Sequence, residues 1–187
     1  MALPSIVRRF EIALSDSDRS VYESLDLRVA QHPSESPRYL VARVLARCLE
    51  HAEGVDFSAG LSAADEPALW QKDLQGTLQA WIEVGSPSAE RLHRASKACK
   101  RTVVYAWARA TELARDAAAY NGKGIHRASE LEVYAIDQRF LDAVSETLDR
   151  NNHWSVSVTG SVVYLEAGSQ LFECSIERAF VGAARSI

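Results

Sequence analysis

Asp73 and Glu83 stand ten positions apart in the segment Asp73-Leu74-Gln75-Gly76-Thr77-Leu78-Gln79-Ala80-Trp81-Ile82-Glu83-Val84-Gly85. Glu83 lies between Ile82 and Val84 and follows Trp81, so it is an acid embedded in an apolar strand. Burying such a carboxylate is costly unless it is paired or binds a cation. Two or three carboxylates at the mouth of a sheet suit a hard divalent ion, Mg²⁺ or Mn²⁺, which takes oxygen ligands and keeps several waters. An ion held this way activates water and stabilises charge on a phosphodiester. The same spacing also has a plain structural meaning. Ile82 and Val84 face one side of the strand and Glu83 the other, so on a wet face Glu83 is an ordinary polar strand residue. Asp73 then only starts the turn toward Gly76.

The remaining chemistry-bearing residues divide the same way. His32 beside Pro33 has the types to touch metal or phosphate, although a turn histidine is the commoner meaning. Arg94, Lys97, Lys100 and Arg101 share one helical arc that suits phosphate contacts or a solvated face. Trp70 and Trp81 suit base stacking or packing. Arg43, between Val41 and Val44, either pairs with an acid near the site or is exposed. Ser34 and Ser161 have no His/Asp pattern around them. Gly122 and Gly124 precede no P-loop Lys-Ser/Thr.

The elements that must position these residues follow from periodicity. Ser5–Leu14 and Val21–Ala30 alternate around Ser15-Asp16-Ser17-Asp18 and predict an antiparallel pair. Ser36-Pro37 starts a helix whose Leu40, Val41, Val44, Leu45, Cys48 and Leu49 recur at helical spacing, and Gly54 ends it. Val55–Ala59 is a short strand, and Asp65-Glu66-Pro67 opens a turn. Thr77–Val84 is a strand, Ser88–Arg101 a helix, Thr102–Trp107 a strand and Ala108–Tyr120 a helix. Leu131–Ile136 is a strand and Gln138–Asp149 a helix. Trp154–Val158, Val162–Leu165 and Leu171–Ile176 close the chain as a meander. The order is ββ, then αβββαβ, then αβα and the meander, which predicts an α/β (α+β) protein with a mixed sheet flanked by helices.

The 187 residues, 47% hydrophobic and 25% charged, predict one domain over residues 1–187 with an ordinary core. A net charge of −4 argues against wrapping nucleic acid by bulk electrostatics, though not against a local basic patch. Cys48, Cys99 and Cys174 lack a C-x-x-C pair and read as buried, reduced thiols. No apolar h-region follows Arg8 and Arg9, and no apolar run approaches the ~20 residues that span a bilayer. A cytoplasmic protein with no membrane partner is expected.

Four stretches carry a family resemblance: His32-Pro33-Ser34-Glu35-Ser36, Asp65-Glu66-Pro67-Ala68-Leu69-Trp70, Trp81-Ile82-Glu83-Val84-Gly85, and Pro87 with Arg91-Leu92. In order and spacing the chain resembles the YaeQ family, a divergent branch of the PD-(D/E)XK nuclease-like superfamily, over most of its length. The resemblance implies a restriction-endonuclease-like αβββαβ core with extra strands at both ends. It implies a Mg²⁺- or Mn²⁺-dependent phosphodiesterase acting on nucleic acid. Glu83 matches the second acid of the D…(D/E)-x-K signature, Asp73 or its rival Asp65 the first, and Glu35 the helical acid that joins the metal shell. The signature lysine falls on Gly85, so a displaced basic group would have to assist catalysis, with Lys72, Arg91 and Arg94 as candidates and Lys72 and Arg91 the ones to check. The alternative is a nuclease-fold protein that has lost chemistry with the lysine and binds nucleic acid or a protein partner.

Overall fold

The computed structural model describes residues 5–59 and 65–179. Strands β1 (Ile6–Asp16) and β2 (Val21–Gln31) form the expected antiparallel hairpin, with Phe10 opposite Leu27 and Ile12 opposite Leu25. Helix α1 (Pro37–Leu49) begins where the sequence places it: the Ser36 hydroxyl accepts the Tyr39 N–H, and proline occupies the first turn, where its missing N–H costs nothing. β3 (Val55–Phe57), β4 (Leu69–Lys72) and β5 (Leu78–Val84) precede α2 (Ala89–Ala98) and β6 (Arg101–Ala106). After α3 (Ala110–Ala119) come β7 (Glu132–Ala135) and α4 (Gln138–Ser145). The chain closes with β8 (Asn151–Thr159), β9 (Val162–Ala167), β10 (Gln170–Ser175) and β11 (Glu177–Ala179).

The expected mixed α+β architecture flanked by helices is present, and among the described residues its strands divide between two mixed sheets. One has the order β10-β9-β8-β1-β2, the other β11-β7-β6-β5-β4-β3. β8 runs parallel to β1, which joins the meander to the first hairpin across most of the chain, and β11 leaves the meander to pair with β7. β4 and β11 are the strands that the sequence pattern leaves unmarked.

Leu40, Val41, Ala42, Val44, Leu45 and Ala46 are all fully buried and Arg43 nearly so, which leaves α1 buried on almost every side. A helix of that kind is enclosed. It lies between the sheets, in one core with Phe10 and Ile12 of β1, Val156 of β8, Ile82 and Val84 of β5, and Phe140 and Leu141 of α4. A second core covers the other face of the six-stranded sheet, where Val104, Ala106 and Val133 meet Leu92 of α2 and Leu113 and Ala117 of α3. The three cysteines are free and buried, as expected. Among the described residues no helix is long and apolar enough to cross a membrane.

Candidate functional site

Alternation along β5 sends Ala80, Ile82 and Val84 into the core around α1 and leaves Trp81 and Glu83 on the α2 side. Glu83 is buried there, yet partnered. Its Oε1 accepts the Trp81 indole N–H at 2.6 Å and the Arg91 Nε–H at 2.6 Å. Arg91 comes from the first turns of α2, whose start is capped by the Ser88 hydroxyl. Its Nη2 donates to the Glu66 carbonyl, which holds the stretch before β4 against the pair. The guanidinium also lies 5.8 Å from the centre of the Trp81 ring. Burial pushes the Glu83 carboxyl above its ordinary range, and the Trp81 N–H and Arg91 oppose that rise.

Gly85 ends the strand with a φ of +90°, and a Cβ built there would meet the Trp107 ring at 3.2 Å. Position 85, on which the resemblance would put a lysine, is therefore closed to side chains by backbone conformation and by an indole.

Glu35 sits just before the cap of α1, buried against Arg43. Arg43 Nη2 donates to Glu35 Oε2 at 3.0 Å and to the Ala30 carbonyl at 2.9 Å, and Nε stands 2.9 Å from Oε1 as a charge contact without hydrogen-bond alignment. The His32 backbone N–H completes the set at 3.1 Å. Burial raises the Glu35 carboxyl, opposed by Arg43. Tyr39, in the first turn of α1, feels both pairs. Burial first, then the charge of Glu83, pushes its hydroxyl to about 12, with Arg43 pulling it down and Glu35 adding to the rise.

Asp73 does not join them. It occupies the β4–β5 turn and accepts the backbone N–H groups of Gln75 and Thr77 at 3.0 and 2.8 Å and the Gln79 amide at 2.7 Å. Those bonds, Thr77's first, hold its carboxyl below the usual range. Lys72 pairs with Leu78 while Leu69 pairs with Ile82, so the turn lies at the opposite end of β5 from Glu83, ~17 Å along the strand. The expected convergence of Asp73 with Glu83 is thus corrected, and Lys72 moves away with it: its Nζ lies over the Trp70 ring at 3.4 Å. Asp65 is the acid that reaches the Glu83 side. It lines a cleft of about 350 Å³ with Trp81, Arg91, Arg94 and Ala98, and it meets Arg94 at 3.5 Å in an exposed pair. Arg94 lines this cleft and is largely exposed, Lys97 is exposed one turn further along α2, and Lys100 lies at a different hollow with Ser96, Thr102 and Arg127. His32 proves a turn histidine, its Nδ1 accepting the Ser34 N–H.

A divalent ion needs several oxygens turned toward one point. Glu83 and Glu35 each face an arginine, and Asp73 caps its own turn. Among the described residues no three of His, Cys, Asp and Glu stand so that they could hold a metal ion. The remaining stretches, 1–4, 60–64 and 180–187, contain none of those residue types. The set Glu35, Asp73, Glu83 and Asp65 does not fit the ion in this arrangement.

Residues 1–176 match the family model described as YaeQ protein. The uncharacterized protein YaeQ of Escherichia coli (strain K12) is 25% identical over 177 residues, covering 94% of this chain and 96% of that one. The Salmonella typhi protein of the same description is 28% identical over 166 residues, 88% of this chain and 90% of its own. The crystal structure of YaeQ protein from Pseudomonas syringae superposes with a TM-score of 0.84 at 32% identity, covering 95% of this chain and 97% of that one. The Xanthomonas axonopodis pv. citri structure gives 0.84 at 31% identity over 93% and 97%.

Proposed function

The chain belongs to the YaeQ family, and from that premise we propose that it is a nucleic-acid-binding protein on a PD-(D/E)XK-like frame in which a fixed Glu83–Arg91 pair stands where a metal centre would be. One observation carries the reading: Glu83, behind the cleft, is already paired with Arg91 at 2.6 Å, while Arg94 at the rim is exposed. The succession α1-β3-β4-β5-α2-β6 has the αβββαβ order that the frame requires. The exposed Asp65–Arg94 pair is the kind that exchanges readily with solvent, so Arg94 is available to a phosphate. Trp81, half-buried beside it, offers a stacking surface for a base.

The test is fluorescence anisotropy with a labelled single-stranded oligodeoxynucleotide. Binding is expected at low salt and should weaken as salt rises. The Arg94→Ala/Lys97→Ala protein should bind more weakly, with the slope of log affinity against log salt falling by roughly 0.7 for each phosphate that is no longer neutralised. Absence of binding at low salt overturns the reading. A second reading, a Mg²⁺- or Mn²⁺-dependent phosphodiesterase with Asp65 and Glu83 as the acid pair, has Asp65 at the same cleft in its favour but would need Arg91 to release Glu83 before the two could hold an ion. It requires Mn²⁺-dependent cleavage of the oligonucleotide that Asp65→Asn and Glu83→Gln both abolish.

A further inference from the structure

Glu35 and the Glu83 cleft lie toward the beginning of α1. At its other end, ~20 Å along the helix, the two sheets part around a separate cavity of about 400 Å³. That volume is within the range of small-molecule sites. Asp16 and Arg19 reach it from the β1–β2 hairpin, Glu50 from the residue that ends α1, Arg101 and Tyr105 from β6, and Tyr134 from β7.

Its walls are fixed by buried polar contacts. Glu50 accepts the Tyr105 hydroxyl at 2.7 Å and the Arg101 Nη1 and Nη2 at 2.5 and 3.2 Å. Arg101 also grips Glu132 at 2.9 and 3.0 Å, and the Tyr134 hydroxyl donates to the same carboxylate at 3.0 Å. The rings of Tyr105 and Tyr134 stack at 5.3 Å with 19° between their planes. Asp16 accepts the Arg19 backbone N–H at 3.0 Å and its Nε–H at 2.6 Å. Asp18 also lines the cavity and accepts the N–H groups of Gly160 and Ser161, which ties the β8–β9 turn to its rim.

The charges do not balance. Asp16, Asp18 and Glu50 line the cavity against Arg19 and Arg101, and behind them Glu132 lies between Arg101 and the charge of Arg178. A carboxylate has about four acceptor positions, and Asp16 receives two donors. An anion entering here would compete with the three lining carboxylates for two guanidinium groups already engaged. A cation meets surplus negative charge in a partly desolvated space, beside aromatic faces whose quadrupole also favours it. Leu49, Val158 and Ile176 supply apolar wall for the body of such a ligand.

We infer that this cavity binds a small organic cation, an ammonium group on an aromatic or apolar body, with the charge toward Asp16 and Glu50 and the body against the Tyr105–Tyr134 wall. Calorimetric titration with tyramine, and with 4-hydroxyphenylacetate as its anionic counterpart, tests this on the full chain. Saturable heat at millimolar tyramine and none for the acid are expected. Glu50→Gln should weaken tyramine roughly tenfold or more, and Tyr134→Leu severalfold. Tyr134 is half-buried, so the leucine variant keeps the test open if Glu50→Gln does not fold. Arg94→Ala, at the other site, should bind tyramine as wild type does. No saturable tyramine binding, equal binding of the acid, or unchanged affinity in the variants that fold would overturn the inference.

Discussion

Replacing Arg43 by methionine removes a guanidinium whose side chain is 3% exposed and strips the Glu35 carboxylate, 2% exposed, of its countercharge. The His32 N–H at 3.1 Å still donates to it. Breaking a buried pair from one side costs about 3–5 kcal/mol, because the surviving charge is desolvated and uncompensated. At about 2–4 °C per kcal/mol for a protein of this length, the melting point should fall by roughly 6–20 °C. The loss should depend on pH. Burial already raises the Glu35 carboxyl and Arg43 opposes that rise, so without Arg43 the folded-state value climbs further. A carboxyl whose folded value exceeds its unfolded value, about 4.3, favours the folded state fully below the unfolded value, and that contribution disappears as pH rises through the folded value. Arg43→Met should therefore be closer to wild type at pH 5 than at pH 8. Glu35→Gln/Arg43→Met removes both charges and should recover most of the loss. Urea denaturation followed by circular dichroism at the two pH values measures all of this. A single variant within about 1 kcal/mol of wild type at pH 8, or a double variant no better than the single, would refute the reasoning.

Arg91→Met should cost about 2–4 kcal/mol, less than the Arg43 change because Arg91 keeps 23% of its side chain exposed; denaturant midpoints compare the two directly. Gly54→Ala should cost at least about 2 kcal/mol, since φ is +79° and a Cβ would stand 1.8 Å from the Lys72 carbonyl oxygen in the neighbouring β4; a melting point unchanged by the substitution would contradict that geometry. Burial pushes the Cys48 thiol to about 12, so at pH 8 it should resist a disulfide reagent in the native protein and react in denaturant, as titration of released thiolate would record.

Local signals are legible in the sequence wherever one element decides its own boundaries. Ser36-Pro37 and the apolar spacing from Leu40 to Leu49 place α1, and the alternation of β1 and β2 places the first hairpin. Periodicity also puts Glu83 opposite Ile82 and Val84. It cannot say which acid meets Glu83, because that depends on hairpin register, and the ten-residue spacing to Asp73 looks the same whether the strands bring the ends together or hold them apart. Asp65 sits at the cleft beside a stretch that Arg91 anchors through the Glu66 carbonyl, a long-range contact with no local trace. The pairing of β1 with β8, which divides the strands into two sheets, is likewise invisible to a sliding window. A helical wheel run on to residue 101 groups Arg101 with the solvent face of α2. The helix in fact ends at Ala98, and Arg101 opens β6 with its guanidinium on Glu50 and Glu132. Its place just before the β-branched and aromatic run of β6 is the local signal that separates it from the helix.

The enclosure of α1 explains why so many of these charges sit at its ends. Around Arg43 its buried side chains are mainly Leu, Val and Ala, and apolar packing by itself does not single out one rotation and register. Polar contacts with defined geometry do. At the start, the Ser36 cap, the Glu35–Arg43 pair and the Arg38–Asp142 fork to α4 fix the helix against its neighbours. At the end, Arg19 donates to the Cys48 and His51 carbonyls, and Glu50 receives Arg101 and Tyr105 from β6. Buried ion pairs add little net stability over apolar residues of the same volume, and register is the best-attested reason to keep them. On this chain register has a direct consequence. A slide of one residue would carry Glu50 about 1.5 Å along the axis, enough to break its 2.7 Å bond with Tyr105 and open the wall of the inter-sheet cavity. It would shift Tyr39 by the same step relative to Glu83, whose field its hydroxyl now feels. The contacts that cost the core its uniform apolarity are thus the ones that hold the cleft and the cavity in fixed relation to the sheets around them.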